Sequence, residues 1–160
     1  KTAHDKLALW RGVKDGYIDT IGSDHAPHLR EEKYTDSYFT AKSGFPSIQH
    51  NFALMADHFK RNDLGLEQLV KLMCHNPAIL YQIDRRGFIR EGYHADLVLV
   101  DVNSNQLITN ENVHYKCGWT PYDGIATHTA ITHTFVNGNL IYENGAFCEE
   151  YRGERLVFDR

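Results

Sequence analysis

The chain has 160 residues, 42% of them hydrophobic, which is enough to bury one ordinary core, and it contains no low-complexity or disordered-type segment. Its net charge of -4 and pI near 6.2 leave no basic stripe for a phosphate backbone, so nucleic acid is not an expected partner. No apolar run approaches the ~20 residues of a bilayer span, and the opening Lys1-Thr2-Ala3-His4-Asp5 lacks the apolar stretch of a signal peptide. Cys74, Cys117 and Cys148 are odd in number and form no Cys-x-x-Cys pair, which fits reduced thiols, a cytoplasmic location and no membrane partner. The absence of an initial Met points to a fragment or a processed product.

Leu7, Trp10 and Val13 fall at helical spacing between Asp5 and Val13, and Lys14-Asp15-Gly16 supplies a stop. Tyr17-Ile18-Asp19-Thr20-Ile21 then reads as a β-branched, aromatic strand. Gly22-Ser-Asp-His-Ala-Pro-His28 follows, and Pro27 forbids both a continued ladder and a helix through His25 and Ala26. Asp24 is therefore expected at a strand's carboxyl end, where it either serves chemistry or caps the following loop. Leu29 to Ser43 is charged and aromatic without a sustained period, and reads as a long loop in which Tyr34, Tyr38 and Phe39 pack.

Ile48, Phe52, Leu54, Met55 and Phe59 restore a helical spacing that runs to about Lys60. A second helix, capped by Asp63, carries the stripe Leu66, Leu69, Val70 and Met73, with Cys74 as a small buried hydrophobe. Asn76-Pro77 opens a short third helix through Tyr81, with His75 as a candidate cap. At Gly87 the period becomes strand-like. Ala95 to Asp101, Ile131 to Val136 and Leu140 to Tyr142 are the predicted strands, the last two joined by the hairpin-type turn Asn137-Gly138-Asn139. The reading is α/β, divided into residues 1–86 and 87–160. A single parallel strand needs neighbours on both sides and helices over the sheet, so most of a barrel is expected to lie outside this chain.

Gly22 to His28 resembles the signature at the end of the eighth barrel strand in dihydroorotases of the metal-dependent amidohydrolase superfamily. Asp15-Gly16-Tyr17-Ile18-Asp19, Ser43-Gly44-Phe45-Pro46, His75-Asn76-Pro77-Ala78, Gly92-Tyr93-His94-Ala95-Asp96-Leu97-Val98 and Gly118-Trp119-Thr120-Pro121 match further family segments in order. The resemblance implies the last part of a (β/α)8 TIM-type hydrolase barrel over 1–86 and strands of a small β-sandwich over 87–160, with catalysis at the strands' carboxyl ends. It implies zinc, one or two ions, with most ligands upstream of Lys1. Asp24 would touch the metal and carry the proton from the attacking water to the leaving amide nitrogen. His28 would bind the substrate carboxylate, and Ser43 and Gly44 would meet the substrate ring. His25 is expected to make a structural hydrogen bond.

The expected partners are a small-molecule substrate, dihydroorotate or N-carbamoyl-aspartate, and the missing amino-terminal part of the same protein; homo-oligomer formation stays open. The fragment alone should be inactive. Gly44-Phe45-Pro46 is as in hydantoinases and dihydropyrimidinases, an alternative opposed by His28, and a non-catalytic homologue acting in assembly is a second alternative.

Overall fold

The computed structural model describes residues 2–159. Helix α1 (Ala3–Lys14) opens on a capping box in which Thr2 Oγ1 accepts from Asp5 N–H and the Asp5 carboxylate accepts from Thr2 N–H. Residues 17–21 are not a laddered strand as expected. They have no regular secondary structure and are held by single bonds, Ile21 N–H donating to Leu72 O (3.0 Å) and Asn76 Nδ2 to Asp19 O (2.7 Å). A parallel strand is stabilised by neighbours on both sides, and among the described residues this segment has none.

A short helix α2 (Arg30–Lys33) interrupts the predicted loop, and α3 (Ile48–Lys60) forms where the apolar spacing places it. The next two predicted helices are one continuous rod: α4 (Leu66–Val70), a π-helical turn (Lys71–His75) and α5 (Asn76–Leu80). Gly65, not Asp63, is the N-cap, because the Asp63 carboxylate instead accepts from Arg61 Nε at 3.2 Å. The π turn inserts residues into the helical rotation. Leu69, Leu72 and Ala78 stay buried while Cys74 faces out, contrary to its expected burial. His75 is within the rod and caps nothing; its ring stacks on Phe88 with centroids 4.2 Å apart.

One apolar cluster joins these helices, built on Val13, Met55, Ala56, Leu64, Leu69 and Leu72 with Trp10, Ile18, Ile21 and Phe52 packed against it. Beyond residue 96 the chain is β-rich. Strands β1 (Leu97–Asp101), β4 (Ala130–Val136), β5 (Asn139–Glu143) and β6 (Ala146–Phe147) form an antiparallel sheet in the order β1-β4-β5-β6, and β2 (Gln106–Leu107) pairs with β3 (Ala126–Thr127). Asn137 and Gly138 have φ of 52° and 82°, the pair of left-handed residues that a tight hairpin needs.

Several polar ties join the helical part to the β-rich part. Asp57, on α3 and only 4% exposed, accepts from His128 N–H at 2.6 Å, and Thr129 Oγ1 donates to Ala53 O at 3.1 Å. The Arg86 guanidinium bonds the Asp96 carboxylate and, at 2.7 Å, Asn137 Oδ1, while Asn137 N–H donates to Asp96 Oδ1 at 2.8 Å. Burial pushes the Asp96 carboxyl up, but the Asn137 amide and the Arg86 charge outweigh it and hold the group below its usual range.

Gly87 and Gly92 share nearly the same left-handed backbone, φ 79° and 80°, yet a Cβ on Gly87 would meet Ala78 Cβ at 2.4 Å and Cys74 O at 2.7 Å, whereas one on Gly92 meets nothing within 4 Å. Both Gly→Ala variants incur backbone strain of about 1 kcal/mol, and Gly87→Ala adds a steric clash. Denaturant unfolding is expected to show Gly87→Ala as clearly the less stable of the two; equal stabilities would contradict the packing described.

Candidate active site

Asp24 has φ 44°, a left-handed conformation that Asp tolerates better than most residues. It is exposed, and its carboxylate makes no hydrogen bond or ion pair among the described residues. Both of its neighbours are tied to the start of α3. Ser47, the N-cap, donates from Oγ to Ser23 O at 2.8 Å, so its hydroxyl does not cap its own helix. The cap comes from His25, whose Nδ1 accepts from Ser47 N–H (3.0 Å) and Ile48 N–H (3.3 Å). An Nδ1 that accepts leaves the ring proton on Nε2.

The segment containing Ser43 and Gly44 lies beside this loop. Ala26 N–H donates to Phe45 O at 3.1 Å, and His25 and Phe45 form a parallel bridge. Gly44 has φ 77°, and a Cβ there would sit 2.6 Å from Ala26 Cβ, so only glycine permits this approach. Lys33 reaches across from α2, its Nζ donating to Lys42 O and to Gly44 O, the latter at 2.6 Å. Ser43 and Gly44 are both exposed.

His28 follows Pro27 in a tight bend closed by His28 N–H to Ala26 O at 2.9 Å, and its Nδ1 lies 3.9 Å from Glu32 Oε2. The Trp119 indole N–H donates to His28 O at 2.9 Å, and Trp119 and Thr120 are buried. The loop 118–121 therefore braces the far end of the Asp24–His28 segment. Tyr38 and Phe39, expected to pack, are 88% and 93% exposed, and their rings touch each other with centroids 5.7 Å apart.

No local pattern in the sequence pairs His25 with α3 or marks Lys33 and Trp119 as ties. The Gly-Trp-Thr-Pro stretch was the available signal for Trp119; nothing local marks Lys33. Buried His50 also lies nearby, its ring 6.4 Å from that of Tyr115, and burial with the His114 charge holds its pKa below the usual value. Among the described residues no three His, Cys, Asp or Glu side chains gather to hold a metal ion. Asp24 offers one unpaired carboxylate, which fits a single ligand of a larger donor set.

The Amidohydrolase family model matches residues 1–141. Proteins named dihydroorotase are similar across nearly the whole chain: that of Methanosarcina acetivorans is 36% identical over 157 residues, covering 96% of this chain and 33% of its own, and that of Pyrococcus furiosus is 30% identical, covering 98% and 36%. Among solved structures, the D-hydantoinase (dihydropyrimidinase) of Thermus sp. superposes with a TM-score of 0.85 at 26% identity over 90% of this chain and 32% of that one. The L-hydantoinase (dihydropyrimidinase) of Arthrobacter aurescens gives 0.83 at 28% identity over 92% and 34%.

The fold is thus an α/β portion of the amidohydrolase barrel architecture, and the chain spans about a third of the length of the relatives it matches. This protein belongs to the amidohydrolase family, whose members are typically metal-dependent.

Trp119→Phe keeps a buried aromatic ring but removes the donor to His28 O, a loss of at least about 0.5–1.5 kcal/mol, to which the smaller ring adds a packing cost. An unfolding free energy lowered by that amount in a urea titration at unchanged m-value, with faster amide exchange at residues 26–28, is the expected result.

Proposed function

We propose that the complete protein is a zinc-dependent dihydroorotase, interconverting N-carbamoyl-L-aspartate and (S)-dihydroorotate in pyrimidine biosynthesis. The observation that carries this reading is the pairing of the Asp24–His28 loop with the Ser43–Gly44 segment through Ala26 and Phe45, which sets an unpaired carboxylate, an imidazole and a solvent-exposed Ser-Gly segment on adjoining loops. The dihydroorotase relatives, matched over almost all of this chain, support the same assignment. Residues 1–86 would complete a barrel and residues 87–160 a β-sandwich, each together with the upstream part of the protein.

In this reading Asp24 is both a metal ligand and the proton carrier. A divalent cation, when bound, polarises the ring amide and makes water acidic enough to attack near neutral pH. Asp24 takes a proton from the attacking water, whose oxygen bonds to the ring carbonyl carbon. The carbon–nitrogen bond then breaks as the same carboxyl returns its proton to the departing nitrogen, so one group serves as base and then acid. His28 holds the substrate carboxylate by a hydrogen bond from its ring. Ser43 and Gly44 contribute backbone groups to the substrate ring.

Hydantoinase or dihydropyrimidinase activity is the second reading, favoured by the superposition on such structures and by Phe45-Pro46. Assay of the complete, metal-loaded protein with dihydroorotate and with hydantoin separates the two. Asp24→Asn is expected to lower kcat by about 10²–10⁴-fold. His28→Ala is expected to raise KM for dihydroorotate while leaving a ring without a carboxylate unaffected. An unchanged KM removes His28 from the site, and turnover of hydantoin alone replaces the first reading by the second.

A further inference from the structure

We propose that His25 is a positioning residue for Asp24, acting as a remote cap on α3 rather than through contact with substrate. The proposal rests on the reading of Asp24 as the proton-carrying carboxylate. Its geometric basis is independent of that reading. A helix begins with N–H groups that have no partner within the helix, and a side-chain acceptor normally comes from the N-cap residue itself. Here the N-cap hydroxyl is used to bond Ser23 O, and the acceptor is the Nδ1 of a histidine 22 residues earlier in the chain, which takes two of these N–H groups.

The effect is to clamp Asp24 from both sides. Ser23 O is bonded to the Ser47 hydroxyl, His25 Nδ1 to the Ser47 and Ile48 amides, and Ala26 N–H to Phe45 O. Between these fixed points Asp24 has its left-handed φ of 44°, a backbone state that relaxes unless its surroundings hold it. The Tyr115 ring, 5.1 Å from the His25 ring and tilted by 56°, limits rotation of the imidazole. The partial positive charge at the helix start favours an acceptor there, so the tautomer is set as well as the orientation.

Two substitutions separate the ring from its acceptor. His25→Phe keeps a planar ring against Tyr115 but leaves both amides without a partner. His25→Asn loses the ring but keeps an acceptor atom bonded to Cγ, where Nδ1 stands. In the complete metal-loaded protein, His25→Phe is expected to lower kcat for dihydroorotate by about 10²-fold, the scale of a misplacement near 1 Å. KM should stay at the wild-type value, and His25→Asn should recover most of the lost rate. Nitrogen-15 spectra of the wild-type protein should show the His25 proton on Nε2.

A wild-type kcat in His25→Phe overturns the proposal. So does a folded His25→Asn as slow as His25→Phe, or a proton on Nδ1. If His25→Phe does not fold, His25→Asn and the wild-type tautomer decide. A wild-type protein that opens neither dihydroorotate nor hydantoin defeats the functional reading alone, because the tautomer and the Ser47 and Ile48 amide shifts in His25→Asn still decide the clamp.

Discussion

The first amides of α3 need acceptors, and the bonds that supply them organise much of this chain. A helix end left unpaired in a partly buried setting costs about 1–3 kcal/mol per group, so the Ser23–His25 segment cannot move away without loss. The same helix meets the β-rich half further along, through Asp57 to His128 and Ala53 to Thr129. One helix thus fixes the loop bearing Asp24 at its start and the sheet at its middle. The apolar cluster around Leu69 and Leu72 holds it against the rod α4–α5, so the polar ties act from a rigid base.

The chain needs a second brace because the Asp24–His28 loop has two ends. Pro27 makes the bend after Asp24 stiff, and His28 O is then bonded by an indole 91 residues later. Lys33 does the equivalent for the neighbouring segment, gathering Lys42 O and Gly44 O on one ammonium. Asp24, His28, Ser43 and Gly44, which would meet substrate, are therefore carried on backbone that is bonded on both sides, while remaining accessible to solvent. Such a division between fixed backbone and accessible chemistry is what precise orientation of a reactant requires.

Much of this was legible in the sequence where the signal is local. The apolar spacing from Ile48 to Phe59 gave α3, and the Asn137-Gly138 pair gave the β4–β5 hairpin, because period and turn chemistry are short-range properties. The strand expected at Tyr17–Ile21 carries the right residues but has no paired neighbours among the described residues, since a ladder is a property of several segments at once. The π turn at Lys71–His75 has no compositional mark, so regular helical spacing predicts a buried Cys74 where the structure exposes it. At the candidate site, Asp24, His28, Ser43 and Gly44 stand out through their motifs. The partner of His25 is 22 residues away and that of His28 is 91, and a single sequence carries no record of such pairings.

The close fit of Gly44 against Ala26 has a bearing on protein engineering. Exchanging residues 43–46 by themselves to alter ring preference would import a backbone path not shaped to the methyl group opposite, so positions 26 and 44 form one steric unit and should be transplanted together.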